Sequence, residues 1–373
     1  MPQMQATHTD PTAGIWIDDP DRLANSIADA GQEPIALDTE FVRERTYWPQ
    51  LALVQIAIDG DILLLDMQVE GMAKALAPVL TDPLRTKVMH AASEDLVALE
   101  HACGAVPKPL FDTQIAAGLA GFGAALSYQA LVRELLGIEI DKGETRSDWL
   151  RRPLSPSQCR YAADDVRHLG EIHDRLQRRL VELGRLDWLT EDCQRLLTVA
   201  RGEPEPWPHL ALRSSQGLDP AGQRRLCMLL RWRDRQALAS DRPRGWILAN
   251  DLATELARHP PSDPAALARV LDARPNAPRK LRDAIWHELT ADQSNLDGMP
   301  LAEPLDGRRK ETIKALQSAV ADIAEREGVP ATVLASRRHL ETYVQERRWP
   351  EALDGWRRPL LQACFRTLAP IGD

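Results

Sequence analysis

Two acidic side chains, Asp38 and Glu40, stand two residues apart near the end of an apolar run over residues 34–41. Alternate side chains of a β-strand share a face, so the spacing predicts that both carboxylates point the same way. Paired carboxylates with little solvation repel each other, and a divalent cation removes that penalty. Oxygen ligands of this kind suit Mg²⁺ or Mn²⁺. The pair therefore indicates a metal site, with helix-capping or solvent-facing acids as the open alternative.

Two later segments carry further groups of the same chemistry. The stretch from His90 to Asp95 (HAASED) predicts a strand end that passes into a helix with acids in its first turn. Tyr161 and Asp165 lie four residues apart in a helical pattern, which places them on one helix face, whereas Asp164 lies about 100° round the helix. Taken singly, Asp95 is an ordinary acid of a first helical turn, His90 is a structural histidine and Tyr161 is a core residue.

In combination, these pieces resemble the three exonuclease motifs of the DEDD superfamily. Asp38 and Glu40 match the first motif, and Asp95 matches the second. Tyr161 and Asp165 match the third, and the tyrosine is typical of the DEDDy branch. Longer stretches resemble one family of that branch, ribonuclease D, and these are 38–55 (DTEFVRERTYWPQLALVQ), 90–96 (HAASEDL), 111–114 (FDTQ), 126–127 (LS) and 141–149 (DKGETRSDW).

The resemblance implies an α/β ribonuclease H-like exonuclease domain, a mixed sheet flanked by helices, that releases nucleoside 5′-monophosphates from RNA 3′ ends. It also implies two divalent metal ions, Mg²⁺ or Mn²⁺, which together clamp a scissile phosphate. Asp38 would bridge both ions, Glu40 and Asp165 would complete the site of the attacking water, and Asp95 would hold the second ion. Tyr161 would orient that water, since a phenol of pKa about 10 is a poor general base.

Substrate contacts and partners are further expectations. Phe41 and His90 are expected to contact the terminal nucleotide by stacking and hydrogen bonding. Asp112 and Gln114 are expected to support the fold. The expected partners are RNAs with accessible 3′ ends, above all tRNA precursors, and the chain is expected to act as a cytoplasmic monomer that binds no membrane.

The rear part of the chain is helical in pattern and follows a proline-rich stretch at 201–208 (RGEPEPWP), which predicts a linker. Trp232-Arg233 and Arg242-Pro243-Arg244 resemble an HRDC module, the helical domain that RecQ helicases share with ribonuclease D. The predicted domains are an exonuclease domain at 1–205, two all-α domains of HRDC type at 211–293 and, as a degenerate second copy, at 304–373.

A weak internal repeat supports two related helical modules. Ile247-Leu248-Ala249-Asn250 resembles Val333-Leu334-Ala335-Ser336, which lies 86 residues later. Each segment ends in a residue type that favours a helix N-cap, so a helix is expected to begin directly after it.

The elements that must position the acids can be predicted from turn and cap signals. Asp59-Gly60-Asp61 between two β-rich runs predicts a hairpin. A helix is expected from about Ser93 to Cys103, closed by Gly104. Ser155-Pro156 is expected to start one long amphipathic helix that reaches about Leu183, with Tyr161, Asp165 and His168 on one face.

Charge is unevenly distributed over the 373 residues. Residues 1–210 hold 20 Lys and Arg against 33 Asp and Glu, whereas residues 211–373 hold 26 against 22. An acidic catalytic part repels RNA, so we expect the rear part to hold the RNA body through exposed arginines, namely Arg242, Arg244, Arg337 and Arg357. The front 205 residues are then expected to fold without the rear part.

Composition excludes several other classes. Apolar residues make up 44% and charged residues 27%, which is ordinary for globular proteins and argues against disorder. The five scattered cysteines support neither a disulfide framework nor a zinc site. An inactive nuclease fold that only binds would be expected to lack one of the four carboxylates. A DNA exonuclease uses the same motifs and stays open, although no P-loop of a fused helicase is present.

Overall fold

A computed structural model of the chain describes residues 13–140, 143–144, 147–200, 202, 205–292 and 296–370. Parts of three predicted features lie outside these residues: the N-terminal 12 residues, four positions of the DKGETRSDW stretch (141, 142, 145 and 146), and positions 201, 203 and 204 of the linker. Of the helices that the structure describes, none has both the length and the apolar composition needed to cross a membrane.

The described residues of the front part form a six-stranded mixed sheet in the order β1-β4-β3-β2-β5-β6. Its strands are β1 (Ile15–Ile17), β2 (Ile35–Val42), β3 (Gln50–Ile58), β4 (Asp61–Asp66), β5 (Lys87–Met89) and β6 (Leu110–Asp112). Strands β2, β3 and β4 pair antiparallel, and the other pairs are parallel. The hairpin predicted at Asp59-Gly60-Asp61 is confirmed, with Gly60 in the left-handed region (φ 87°) that this turn requires.

Eight helices of the described front part surround the sheet. They are α1 (Pro20–Asp29), α2 (Met72–Thr81), α3 (Ser93–Cys103), α4 (Thr113–Leu119), α5 (Tyr128–Leu136), α6 (Pro156–Arg167), α7 (Leu169–Leu183) and α8 (Leu186–Ala200). Helix α3 packs on one face of the central strands, and α6 packs on the other. The helix predicted over 93–103 is confirmed, and Gly104 ends it in the left-handed conformation (φ 63°).

The long helix predicted from Ser155 to Leu183 is wrong, because it divides at His168 into α6 and α7. The hydroxyl of Tyr128 donates to the carbonyl of Asp164 (3.0 Å) and accepts from the backbone N–H of His168 (3.2 Å). A tyrosine hydroxyl thus stands between two groups that would bond each other in a continuous helix, and such insertions break the helix.

The rear part is helical throughout the residues that the structure describes. The first helical unit consists of α9 (Pro220–Ser240), α10 (Arg244–Ile247), α11 (Asn250–Arg258), α12 (Pro264–Asp272) and α13 (Arg282–Thr290). The second helical unit consists of α14 (Gly307–Glu327), α15 (Ala331–Leu334), α16 (Arg337–Glu346) and α17 (Arg357–Leu368). Short 3₁₀ turns lie at Pro208–Ala211, Arg213–Gly217, Arg279–Leu281 and Glu351–Leu353.

The internal repeat is present in the structure, but its register is 87 residues and not the 86 predicted. Helices α9 and α14 each have 21 residues and end at a left-handed residue, Asp241 (φ 46°) and Gly328 (φ 63°). The four-residue helices α10 and α15 follow at the same offset, each after a proline N-cap. The second unit is shorter, since a 3₁₀ turn at Glu351–Leu353 stands where α12 begins in the first.

The two helical units differ in their hydrophobic cores. Buried residues of α9 to α13 form their own cluster, and among the described residues of the front part only Tyr47 joins it, as a partly buried neighbour. In contrast, buried residues of α14 to α17 belong to one continuous cluster with residues of α4, α5, α7 and α8. The second unit is therefore packed into the front part, whereas the first is attached to it.

Candidate active site

The structure brings together three of the predicted carboxylates, those of Asp38, Glu40 and Asp165. One carboxylate oxygen from each lies within 4.8 Å of the others. Strand β2 presents the first two on the face covered by α6, and α6 begins at a capping box in which Ser155 and Gln158 exchange hydrogen bonds. Because this cap fixes where the helix starts, it also fixes the turn that brings the third carboxylate over the strand.

Tyr161 lies one helical turn before Asp165, and its hydroxyl forms a hydrogen bond with that carboxylate. The tyrosine ring packs beside Trp149 (centroids 6.1 Å apart) and against Gly143. A Cβ at Gly143 would stand 3.0 Å from the ring carbon Cδ2. Asp164 is directed elsewhere, since its carboxylate accepts from Nε of Arg167 at 2.7 Å.

Asp95 approaches from the α3 side of the sheet and is not part of the three-carboxylate group. Its Oδ1 accepts a 2.5 Å hydrogen bond from the hydroxyl of Thr39, which is buried on β2 between the two acids. The start of α3 is held by the buried Asp112, whose carboxylate accepts from the backbone N–H of Ala92 (2.9 Å). Ala92 is the N-cap, so Ser93 is the first helical residue.

Burial and mutual repulsion raise the pKa values of these four carboxyl groups. Burial, and then the neighbouring carboxylates, raises the pKa of Asp38 well above its usual range. Burial, followed by repulsion from Asp165 and Asp95, raises the pKa of Glu40 to about 9. Burial also raises the pKa of Asp165 to about 7, although the hydrogen bond from Tyr161 opposes the shift. The pKa of Asp95 rises to about 6 through burial, against the hydrogen bond from Thr39.

This donor set fits a divalent cation. The acids repel one another when ionised, and a cation that binds all three oxygens would remove the repulsion that raises their pKa values. Carboxylate oxygens alone, without a cysteine or histidine in the group, are the ligands of Mg²⁺ or Mn²⁺ more than of softer metals. The site is therefore suited to divalent metal ions.

Phe41 and His90, predicted to contact substrate, lie at the margins of the site. Phe41 follows a bulge in β2 and is half-buried against the cluster on the α3 side. Both ring nitrogens of His90 are hydrogen-bonded within the protein, Nδ1 to the Thr113 hydroxyl (2.9 Å) and Nε2 to the carbonyl of Leu126 (3.0 Å). Their contacts with a nucleotide stay predictions, and the histidine would have to release a protein partner to make one.

Several residues near the site were not predicted from the sequence. Thr39 fixes Asp95, and Tyr128 breaks the helix after the third motif. Gln55 is fully buried directly across the strand pair from Asp38, and neither of its amide atoms has a hydrogen-bond partner among the described residues. All three lie inside or directly beside the motif stretches quoted above, but the partners of Thr39 and Tyr128 come from distant elements.

The architecture and the carboxylate site define a class, the 3′-5′ exonucleases. A family model described as 3′-5′ exonuclease matches residues 15–181, and one described as ribonuclease D, C-terminal HRDC domain, matches residues 308–364. The second match covers most of the second helical unit. That unit is therefore an HRDC domain, although it was expected to be the degenerate copy.

The chain belongs to the ribonuclease D family. It is 55% identical over 349 residues to ribonuclease D of Xanthomonas oryzae pv. oryzae, covering 93% of this chain and 96% of that protein. Ribonuclease D of Pseudomonas paraeruginosa is 35% identical, with 92% of this chain and 94% of that protein covered. The crystal structure of Escherichia coli RNase D matches with a TM-score of 0.82 at 29% identity, over 95% of this chain and 97% of that one.

Proposed function

We propose that this chain trims the 3′ ends of tRNA precursors as a cytoplasmic monomer and that two divalent metal ions take part. Membership of the ribonuclease D family makes the chain a hydrolytic 3′→5′ exoribonuclease that binds RNA. The single observation that carries the metal-dependent mechanism is the group of three carboxylate oxygens within 4.8 Å. Processing of structured RNA is stated for the Escherichia coli relative and supports the choice of tRNA.

The proposed roles follow from the contacts. Asp38, Glu40 and Asp165 would hold the ions, with Asp38 between the two, and Asp95 would serve the second ion from the α3 side. When bound, two such ions polarise the scissile phosphate and make water a stronger nucleophile. Burial raises the pKa of the Tyr161 phenol, so that hydroxyl stays protonated and donates a hydrogen bond. It would hold the attacking water in line and not remove its proton.

We also propose that the first helical unit is a second HRDC-type domain, which makes the domains 1–205, 211–293 and 304–373. The support is the shared series of elements at an offset of 87 residues: a 21-residue helix, a left-handed cap, a four-residue helix and a further helix. The exposed arginines of the first helical unit would then offer RNA a binding surface that the acidic front part lacks.

The test uses a tRNA precursor labelled at its 5′ end and a single-stranded DNA of matching sequence. With Mn²⁺ or Mg²⁺, we expect stepwise shortening of the RNA and release of nucleoside 5′-monophosphates, and chelation by EDTA should stop it. Asp38→Asn should abolish shortening because it removes the shared ligand, whereas the matched variant Asp164→Asn should retain it, since that carboxylate pairs with Arg167. Undiminished hydrolysis in EDTA, or preference for DNA, would contradict the proposal.

A further inference from the structure

A loop of residues 43–49 joins the strands β2 and β3 and contacts the first helical unit. Asp241, the left-handed residue that ends α9, accepts hydrogen bonds from the backbone N–H groups of Tyr47 (3.0 Å) and Trp48 (3.1 Å). Arg244 donates to the hydroxyl of Tyr47 (3.0 Å), and its guanidinium carbon lies 5.1 Å from that ring's centroid. The first helical unit is thus fixed to the segment that leaves the carboxylate-bearing strand.

The same loop begins beside the carboxylates. Arg43 donates to the carbonyl of Tyr47 (3.0 Å) and to Glu94 (2.8 Å), which directly precedes Asp95 on α3. Arg43 is also only three residues beyond Glu40, a distance that an extended chain spans in about 11 Å at most. The junction of loop and helical unit therefore starts at the edge of the site and leads away from it.

Exposed cationic and aromatic side chains line this junction. Arg45 on the loop and Arg242 directly after Asp241 are exposed, and within the described part of the chain neither forms an ion pair. Trp246 on α10, two residues after Arg244, is 59% exposed. Arginine beside an aromatic ring that bases can stack on is the chemistry of single-stranded nucleic acid binding.

The fold itself does not require an exposed tryptophan at this corner. The equivalent position in the second helical unit, 87 residues later, is Val333, which is half-buried. Its Cγ2 lies 3.1 Å from where a Cβ would stand on Gly118 of α4, so this side chain packs directly on the front part. The two units thus present the same corner to the nuclease, but the first leaves its large aromatic side chain free for another contact.

We propose that this junction binds the single-stranded RNA that leads into the carboxylate site, with Trp246 stacking on a base and Arg45 and Arg242 contacting phosphates. The proposal rests on the exoribonuclease activity proposed above. Asp241 and Arg244 are positioning residues, because they hold the helical unit against the loop. The arginines also offset the repulsion of a front part that holds 33 acidic against 20 basic residues over 1–210.

The test compares a trinucleotide, which occupies only the carboxylate site, with a single-stranded RNA of about 15 nucleotides, the length of a full strand-binding groove. Trp246→Ala should raise KM on the longer strand about tenfold, whereas Trp246→Tyr should retain most of the affinity because it keeps a stacking ring. Neither variant should change kcat, or KM on the trinucleotide. Arg242→Gln should reduce the salt slope of binding by about 0.7, and Arg269→Gln on the exposed side of α12 is the matched control without effect.

Fluorescence anisotropy of the labelled longer strand in EDTA measures binding without hydrolysis. Weaker binding by Trp246→Ala, together with an unchanged melting temperature, is the expected result. Unchanged affinity for the longer strand, or an equal loss on the trinucleotide, would overturn the subsite. If the wild-type chain binds RNA yet never shortens it with Mn²⁺, the proposed activity fails, while the anisotropy comparison still decides whether Trp246 contacts the strand.

Discussion

Replacing Asp165 by asparagine should make the metal-free protein more stable at alkaline pH, although it removes a metal ligand. Burial raises the pKa of this carboxyl from 3.8 to about 7. A carboxyl whose pKa is higher in the folded state stabilises the fold below its unfolded pKa. It then loses that contribution as the pH rises to its folded pKa. The window of loss is therefore about pH 4 to 7.

The magnitude follows from the size of the shift. About three pKa units at about 1.4 kcal/mol each give a loss of about 4 kcal/mol at pH 8 relative to pH 4. Asparagine does not ionise, so the stability of Asp165→Asn should not fall in this way as the pH rises. The substitution also removes the charge that helps to raise the pKa values of Asp38 and Glu40. The hydrogen bond with Tyr161 survives, because the amide oxygen accepts it.

The assay is thermal melting in EDTA and in Mn²⁺, at pH 5 and at pH 8. At pH 8 in EDTA, Asp165→Asn should melt several degrees above the wild type, and the difference should shrink at pH 5. Mn²⁺ should stabilise the wild type more than the variant. The control is Asp164→Asn, whose exposed pair with Arg167 contributes about 1 kcal/mol at most. A variant that is less stable than the wild type in EDTA at pH 8 would refute the reasoning.

Three further predictions concern residues around the site and the core. Gly143→Ala should lower kcat with little change in melting temperature, because its Cβ would stand 3.0 Å from the Tyr161 ring and displace it; unchanged kcat would contradict this. Arg357→Ala should cost about 1.5 to 3 kcal/mol in urea unfolding, since it removes the bidentate partner of the buried Asp192, which keeps its contacts with Arg195 and the Trp356 indole N–H. Gln55→Met should be neutral or stabilise by about 1 kcal/mol in the same assay, because it removes an unpaired buried amide.

Features that depend on a few neighbouring residues could be predicted from the sequence. The hairpin at Gly60, the end of α3 at Gly104 and the start of α6 after Ser155 each rest on a local turn or cap. The pairing of Asp38 with Glu40 on one strand face is equally local, since alternation alone sets it.

Features that are set by residues far away in the chain could not be predicted from the sequence. The break at His168 arises from a hydroxyl on α5, forty residues away in the chain, and nothing in the sequence around the break signals it. Arg357 was expected on the RNA-binding surface, but its side chain is 11% exposed and is bound to Asp192 of α8. The sequence does not distinguish an exposed arginine on a helix from one that binds a buried acid, because only tertiary packing determines which of the two it is.

Tertiary packing also decides how the chain divides into domains. The front 205 residues were expected to fold by themselves, but Ile313, Leu316 and Val320 of α14 are at most 2% exposed within the core that α4 and α7 also build. Burying three such side chains contributes about 5 kcal/mol or more, which is comparable to the whole stability of many domains. Removing the second unit would leave this face of the nuclease open to water. The first unit has a separate core and contacts the nuclease through Tyr47 and its loop, so we expect substitutions in that core to leave the carboxylate site assembled.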